Sequence, residues 1–130
     1  MHAETDLDRL IAGMAPRLVE GVWVFASVPH AAAPDPSTLV LPLGRALALG
    51  LRHDFPCRMI TLDVHSSLAA TGFLARITAA LAARGMAVNP VSGFFHDHLF
   101  VPDGREAEAL AMLRALSGAT AAQAADGAGA

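Results

Sequence analysis

Between Arg58 and Pro102 the spacing of apolar residues changes period twice, and few folds accommodate the order of elements that this gives. Ile60, Leu62 and Val64 alternate with Thr61, Asp63 and His65, the period of a strand that buries one face. From Leu74 the period lengthens. Leu74, Ile77 and Leu81 stand at i, i+3 and i+7 among alanines, and Arg84-Gly85 supplies a basic last turn and a terminating glycine. Short apolar runs then return, Met86 to Phe94 and Leu99 to Val101. The polar triplet His96-Asp97-His98 divides them, which predicts a hairpin turning at those residues. Asp103 with Glu106 three positions on has the spacing of a helix start, and Ala107, Leu110 and Leu113 give that helix an apolar stripe. Strand, helix, strand, strand, helix is the order of an α+β domain, with helices layered on an antiparallel sheet.

The preceding half is less regular. Thr5 and Asp8 have capping-box spacing, and Leu7, Leu10, Ile11 and Met14 form one stripe, so a short helix is expected over 6–14, ended by Pro16. Val22 to Val28 is apolar on both faces and reads as a strand inside a covered sheet, closed by Pro29. The proline-punctuated HAAAPDPS is a loop; Thr38 to Leu41 can form a further strand, and Leu43 to Leu49 a brief helix before Gly50. From Ser117 the chain is rich in alanine and glycine with no large residue to anchor it, and it reads as disordered.

With Thr71-Gly72-Phe73-Leu74-Ala75-Arg76-Ile77 opening its helix, the βαββα stretch resembles an ACT domain. ACT domains are ferredoxin-like βαββαβ modules that bind amino acids or other small metabolites and pass the signal on. The longer strings CRMITLDVHSSL and VNPVSGFFHDHLFVP resemble a narrower group of small, stand-alone bacterial proteins with two ACT-like units. The resemblance implies an abbreviated unit over 1–56, which has lost its first helix, and a complete ACT domain over 57–116. The closing strand of that domain could come from the other half, and a disordered tail over 117–130 would follow. It implies a binding module and no reaction.

In ACT pairs the ligand lies between the strand-to-helix loop of one unit and the second strand of another. That carries Ser66, Ser67, Leu68, Thr71, Gly72 and Phe73 on the loop, and Asn89, Val91 and Ser92 on the strand, as expected ligand-binding residues. The residue chemistry agrees: a helix N-terminus offers unpaired N–H groups to a carboxylate, and Gly72 has no Cβ to keep a ligand away. The competing reading is structural. Ser67 or Thr71 could simply cap the helix, Gly72 could serve tight packing, and Asn89-Pro90 could mark a bulge.

Composition narrows the function classes. With 130 residues, 54% of them hydrophobic, the chain can bury one compact core. A net charge of -3 with scattered basic residues leaves no stripe to neutralise a phosphate backbone, so nucleic acid is not an expected partner. MHAETDLDRL is not a signal peptide, and no apolar run approaches the roughly 18 residues of a membrane helix, so a cytoplasmic protein is expected. The single cysteine, Cys57, has no disulfide partner in the chain and no histidine in a nucleophile pattern. His96, Asp97 and His98 with His65 present a zinc- or iron-like ligand set, but the triplet is explained as hairpin punctuation. No cofactor, metal or catalytic constellation is expected. The leading expectation is a stand-alone sensor or regulatory protein that binds an amino acid, forms a homodimer and signals to an unidentified protein partner. The alternatives are a ligand-free structural or dimerisation module and a small metal-dependent enzyme.

Overall fold

A computed structural model of the chain describes residues 6–32, 35–64 and 72–129. In chain order the elements are α1 (Leu7–Ala12), β1 (Pro16–Leu18), β2 (Trp23–Val28), β3 (Ser37–Pro42), α2 (Leu43–Ala48), β4 (Arg52–Leu62), α3 (Phe73–Ala82), β5 (Asn89–Ser92), β6 (Asp97–Pro102) and α4 (Glu106–Gly129). The strands form one antiparallel sheet in the order β3-β2-β4-β6-β5, with β1 also paired to β4.

The eleven-residue β4 organises this sheet. Along one edge it pairs first with β2, from Ser27↔Arg52 to Trp23↔Cys57, and then with β1, from Leu18↔Ile60 to Pro16↔Leu62. Its other edge pairs with β6, from Cys57↔Pro102 to Leu62↔Asp97. The C-terminal unit is therefore the four-stranded set β5-β6-β4-β1, and its closing strand comes from the N-terminal half. The irregularity between Trp23 and Phe25 and the positive φ of Phe55 (59°) mark a bulge where β4 passes from one partner set to the other.

Three helices cover one face. Ile60, Leu62, Leu99 and Val101 from the sheet meet Leu10, Ile11 and Met14, Phe73, Ile77 and Leu81, and Ala109 and Leu113, all buried. The expected stripe of α3 holds at Ile77 and Leu81, but it begins at Phe73, which is buried, while Leu74 packs at the margin. Helix ends are tied by side chains. The Asp6 carboxylate accepts from Arg9 N at 3.0 Å as the N-cap of α1, while Thr5 lies outside the described residues. The Arg105 guanidinium donates to Arg84 O and Gly85 O, both at 3.1 Å, satisfying carbonyls at the end of α3 from the start of α4. Glu106 Oε1 accepts from Gly104 N at 2.7 Å and Oε2 from Arg58 at 3.1 Å.

Four expectations change. Pro16 does not merely end a helix; it opens β1, which is too short to show a period of its own. The central strand begins at Arg52, not near Ile60, so the boundary expected between residues 56 and 57 falls inside β4. The hairpin turns earlier than His96-Asp97-His98: Gly93 N donates to His96 O at 2.8 Å, and Asp97 and His98 already belong to β6. A Cβ on Gly93 would come within 2.6 Å of that carbonyl oxygen, so the turn requires glycine there. Finally, the segment from Ser117 is no disordered tail but the second half of α4. Ser117 Oγ donates to Ala12 O at 2.8 Å and Thr120 is buried, so small polar residues anchor a helix whose alanines favour helical backbone.

Candidate functional site

The register places the end of β4 that leads toward α3 beside two other strand ends. Leu62 pairs with Asp97 and Asp97 with Ser92, so the end of β5 lies one strand beyond the end of β4. On the opposite edge Arg17 donates to the carboxylate of Asp63 at 3.0 and 3.3 Å, fixing the strand exit. Of the expected loop contacts, Ser66, Ser67, Leu68 and Thr71 lie outside the described residues.

Gly72 is the N-cap of α3, at φ 86° and with no side-chain hydrogen bond capping it. Few residues other than glycine adopt this left-handed backbone readily. The helix bond Arg76 N to Gly72 O follows directly, at 2.9 Å. The first turn carries no acidic residue, and a helix N-terminus with unpaired N–H groups favours an anion. Phe73, expected to touch a ligand, buries its side chain in the core, and only its backbone can serve the junction. Asn89, Val91 and Ser92 are all exposed on β5, which has a free outer edge among the described strands. The hairpin beyond them exposes Phe94 (72%) and Phe95 (61%), packed edge to face on each other.

Residues singled out for chemistry occupy ordinary structural places. Cys57 is buried and its thiol donates to Trp23 O at 3.3 Å. Burial, assisted by the charge of Asp103, pushes the thiol up to about 11, so it is neutral near pH 7 and no nucleophile. His96 stays in the turn, whereas His98 stands in β6 with Nδ1 2.9 Å from Thr61 Oγ1. Among the described residues no three His, Cys, Asp or Glu side chains come close enough to hold a metal ion. Asp97, expected as a turn cap, is instead a buried residue on the helix side of the sheet beside Leu62. A carboxylate at a core position has no hydropathy signal, which is why sequence reasoning missed it.

Burial, and then the charges of His96 and Arg17, push the His98 imidazole below its ordinary value against the opposing pull of Asp97. Its folded form therefore favours the neutral ring. The stabilisation is complete above about pH 6.5, the unfolded value, and is lost as pH falls through the depressed folded value. The urea midpoint of the wild type is expected to drop on acidification below pH 6.5, and His98→Gln should remove that component of the drop. An unchanged pH profile in the variant would refute the assignment.

Two ACT-domain family models match the chain, over residues 2–58 and 54–115. A Vibrio cholerae protein of unknown function, described as a possible transport protein, is 32% identical to it. Its crystal structure superposes with a TM-score of 0.75, covering 85% of this chain and 95% of that one. The chain belongs to the ACT-domain family. An Agobacterium tumefaciens protein of 19% identity shares the fold at a TM-score of 0.58, over 78% of this chain and 87% of the other. No functionally curated protein matches. The two ACT matches overlap at residues 54–58, within β4, so the ACT halves meet in a shared strand rather than at a linker. ACT domains are generally small-molecule-binding regulatory modules, and no described helix here is long and apolar enough to cross a membrane.

Proposed function

We propose that this protein is a stand-alone, cytoplasmic regulatory module, not an enzyme, that binds a carboxylate-bearing metabolite, foremost an α-amino acid. The ligand would sit between the Ser66–Phe73 junction and a surface that includes Asn89, Val91 and Ser92. The observation that supports this reading is Gly72 at φ 86° at the head of α3, with no side-chain cap among the described residues. A carboxylate there would meet the first-turn N–H groups and the positive end of the helix dipole. A homodimer completes the reading. Its support is the free edge of β5 with exposed Val91, Phe94 and Phe95, next to a shallow groove of about 300 Å³ lined by Ala75, Ala79, Ala82 and Met86. Ligand binding across such an interface would change its association with itself or with a protein partner.

A thermal-shift screen of amino acids, 2-oxo acids and nucleobases tests the function. A ligand at 100 times its Kd should stabilise the fold by about 2.7 kcal/mol. If every compound leaves the unfolding temperature unchanged, the module is a ligand-free scaffold and this reading fails.

A further inference from the structure

The sheet runs from β3 at one edge to β5 at the other, and the ladder phase fixes which backbone groups each edge offers. Leu43 N donates to Val22 O at 2.9 Å. The pairs of the same phase, Val24↔Leu41, Ala26↔Leu39 and Val28↔Ser37, therefore turn their N–H and C=O groups toward each other. The alternate residues of β3, Thr38 and Val40, turn theirs outward, and among the described residues no other strand receives them. Pro42 takes the next outward position at one end and Pro36 the corresponding one before Thr38, and neither has an N–H to give. The donors of this edge lie symmetrically about Leu39.

The opposite edge is built differently. Gly93 N donates to His96 O, so by the same alternation Val91↔His98 is a hydrogen-bonded pair, and Pro90 and Ser92 face out. With proline at an outward position, β5 cannot extend the sheet by a regular ladder, and association there rests on side chains such as Val91 and Phe94. β3, in contrast, carries none of the charged residues that commonly guard an edge. Exposed aliphatic side chains also gather at its end of the molecule. Leu39 (46%) stands on β3 itself, and Leu47 (61%) and Leu49 (55%) on and just after α2, the helix packed on β2 and β3.

We infer that β3 is a self-pairing edge, at which a second copy of this chain adds its own β3 antiparallel across a two-fold axis at Leu39. In that register Thr38 of each copy faces Val40 of the other and exchanges two hydrogen bonds with it, four in all. Pro36 faces Pro42, so the positions that cannot donate meet each other. A slip of two residues in either direction leaves the Thr38 or the Val40 carbonyl opposite a proline and without a donor, so the prolines select the register. A two-fold contact needs a surface complementary to itself, and the symmetry of this edge about Leu39 supplies it. The pairing goes beyond the association proposed at β5 and uses the other end of the sheet.

Cysteine cross-linking and sedimentation of the full chain test this. The two residues at position 39 would form a non-hydrogen-bonded pair with Cα atoms about 4.5 Å apart, within disulfide reach. Leu39→Cys should therefore give a disulfide-linked dimer under mild oxidation, and the buried Cys57 should not compete. Thr38→Cys, which faces Val40, should link at least tenfold less. Thr38→Pro removes an outward N–H without touching the β2 ladder, and it should raise the dissociation constant of the dimer tenfold or more. Amide exchange at Thr38 and Val40 should slow as concentration rises, while Leu39 and Leu41, held by β2, stay unchanged. A chain that remains monomeric at millimolar concentration would overturn the inference, as would a dimer that Leu39→Cys does not link and Thr38→Pro does not weaken. If Val91→Lys alone dissociates that dimer, the association at β5 stands and the β3 pairing falls.

Discussion

A fragment spanning 57–116, the segment that the resemblance implies to be a complete ACT domain, is expected not to fold. It lacks β1, which closes its four-stranded set, and α1, whose Leu10 and Ile11 are fully buried in its core along with the following Met14. Burying each such side chain is worth about 1.5–3 kcal/mol, so the three together contribute about 4.5–9 kcal/mol. A small domain has about 5–15 kcal/mol in all. The fragment would also lose the Ser117 bond to Ala12. Circular dichroism and urea titration should show no cooperative transition, and a peptide of residues 6–18 added in trans should restore part of one. A cooperative transition in the isolated fragment would show that the core does not depend on its N-terminal cover.

Gly72→Asp is expected to abolish ligand binding at the junction while leaving the protein folded. An aspartate there would place negative charge where the carboxylate is proposed to sit. The repulsion and the lost charge-assisted bonds should lower affinity by about 100-fold or more, or ~2.7 kcal/mol. The change strains the backbone at φ 86° but should leave the protein folded: an added Cβ would meet Leu7 Cδ2 at an ordinary 3.9 Å, and aspartate bears positive φ better than most residues. Gly72→Asn is the control, since it has nearly the same shape without the charge and should retain much of the affinity. Ser67→Ala and Asn89→Ala should each cost about 0.5–3 kcal/mol. Calorimetry with a ligand from the thermal-shift screen decides it: equal affinity in Gly72→Asp and wild type would move the site elsewhere.

What could be read in advance divides along physical lines. Helices α1 and α3 declared themselves because each turns an apolar stripe to the core, which periodicity records directly. β2 and β3 declared themselves otherwise: β2 by apolar residues on both faces, of which Val24 and Ala26 are buried, and β3 by a short apolar run none of which is buried. β1 did not, because three residues carry no period and their proline reads as a breaker. The first half of β4 did not, because Arg52, His53 and Asp54 are exposed and polar, and pairing alone holds them extended. Asp97 misled the turn assignment by being a polar residue on the buried side of a strand. The second half of α4 has no large residue to signal anchoring, because the Ser117 hydroxyl ties it to Ala12 O and the small Thr120 is buried. Of the expected ligand contacts, Gly72 was legible as a glycine at a helix head, and its positive φ gives that expectation a backbone reason.

The shared β4 also restricts how this molecule can move. Tandem domains joined by a linker respond to ligands by rotating as rigid bodies about a hinge. Here both halves hydrogen-bond to one unbroken strand, so a rotation of that kind would have to rupture backbone ladder bonds. The compliant point along the strand is the bulge at Phe55 and Pro56, where the proline donates no N–H and Pro56 O is held by Asp103 N at 3.0 Å. Motion that couples one end of the molecule to the other should therefore take the form of a change in sheet twist centred on that bulge. Hydrogen exchange would register it as a graded loosening along β4 rather than as the opening of a gap between domains.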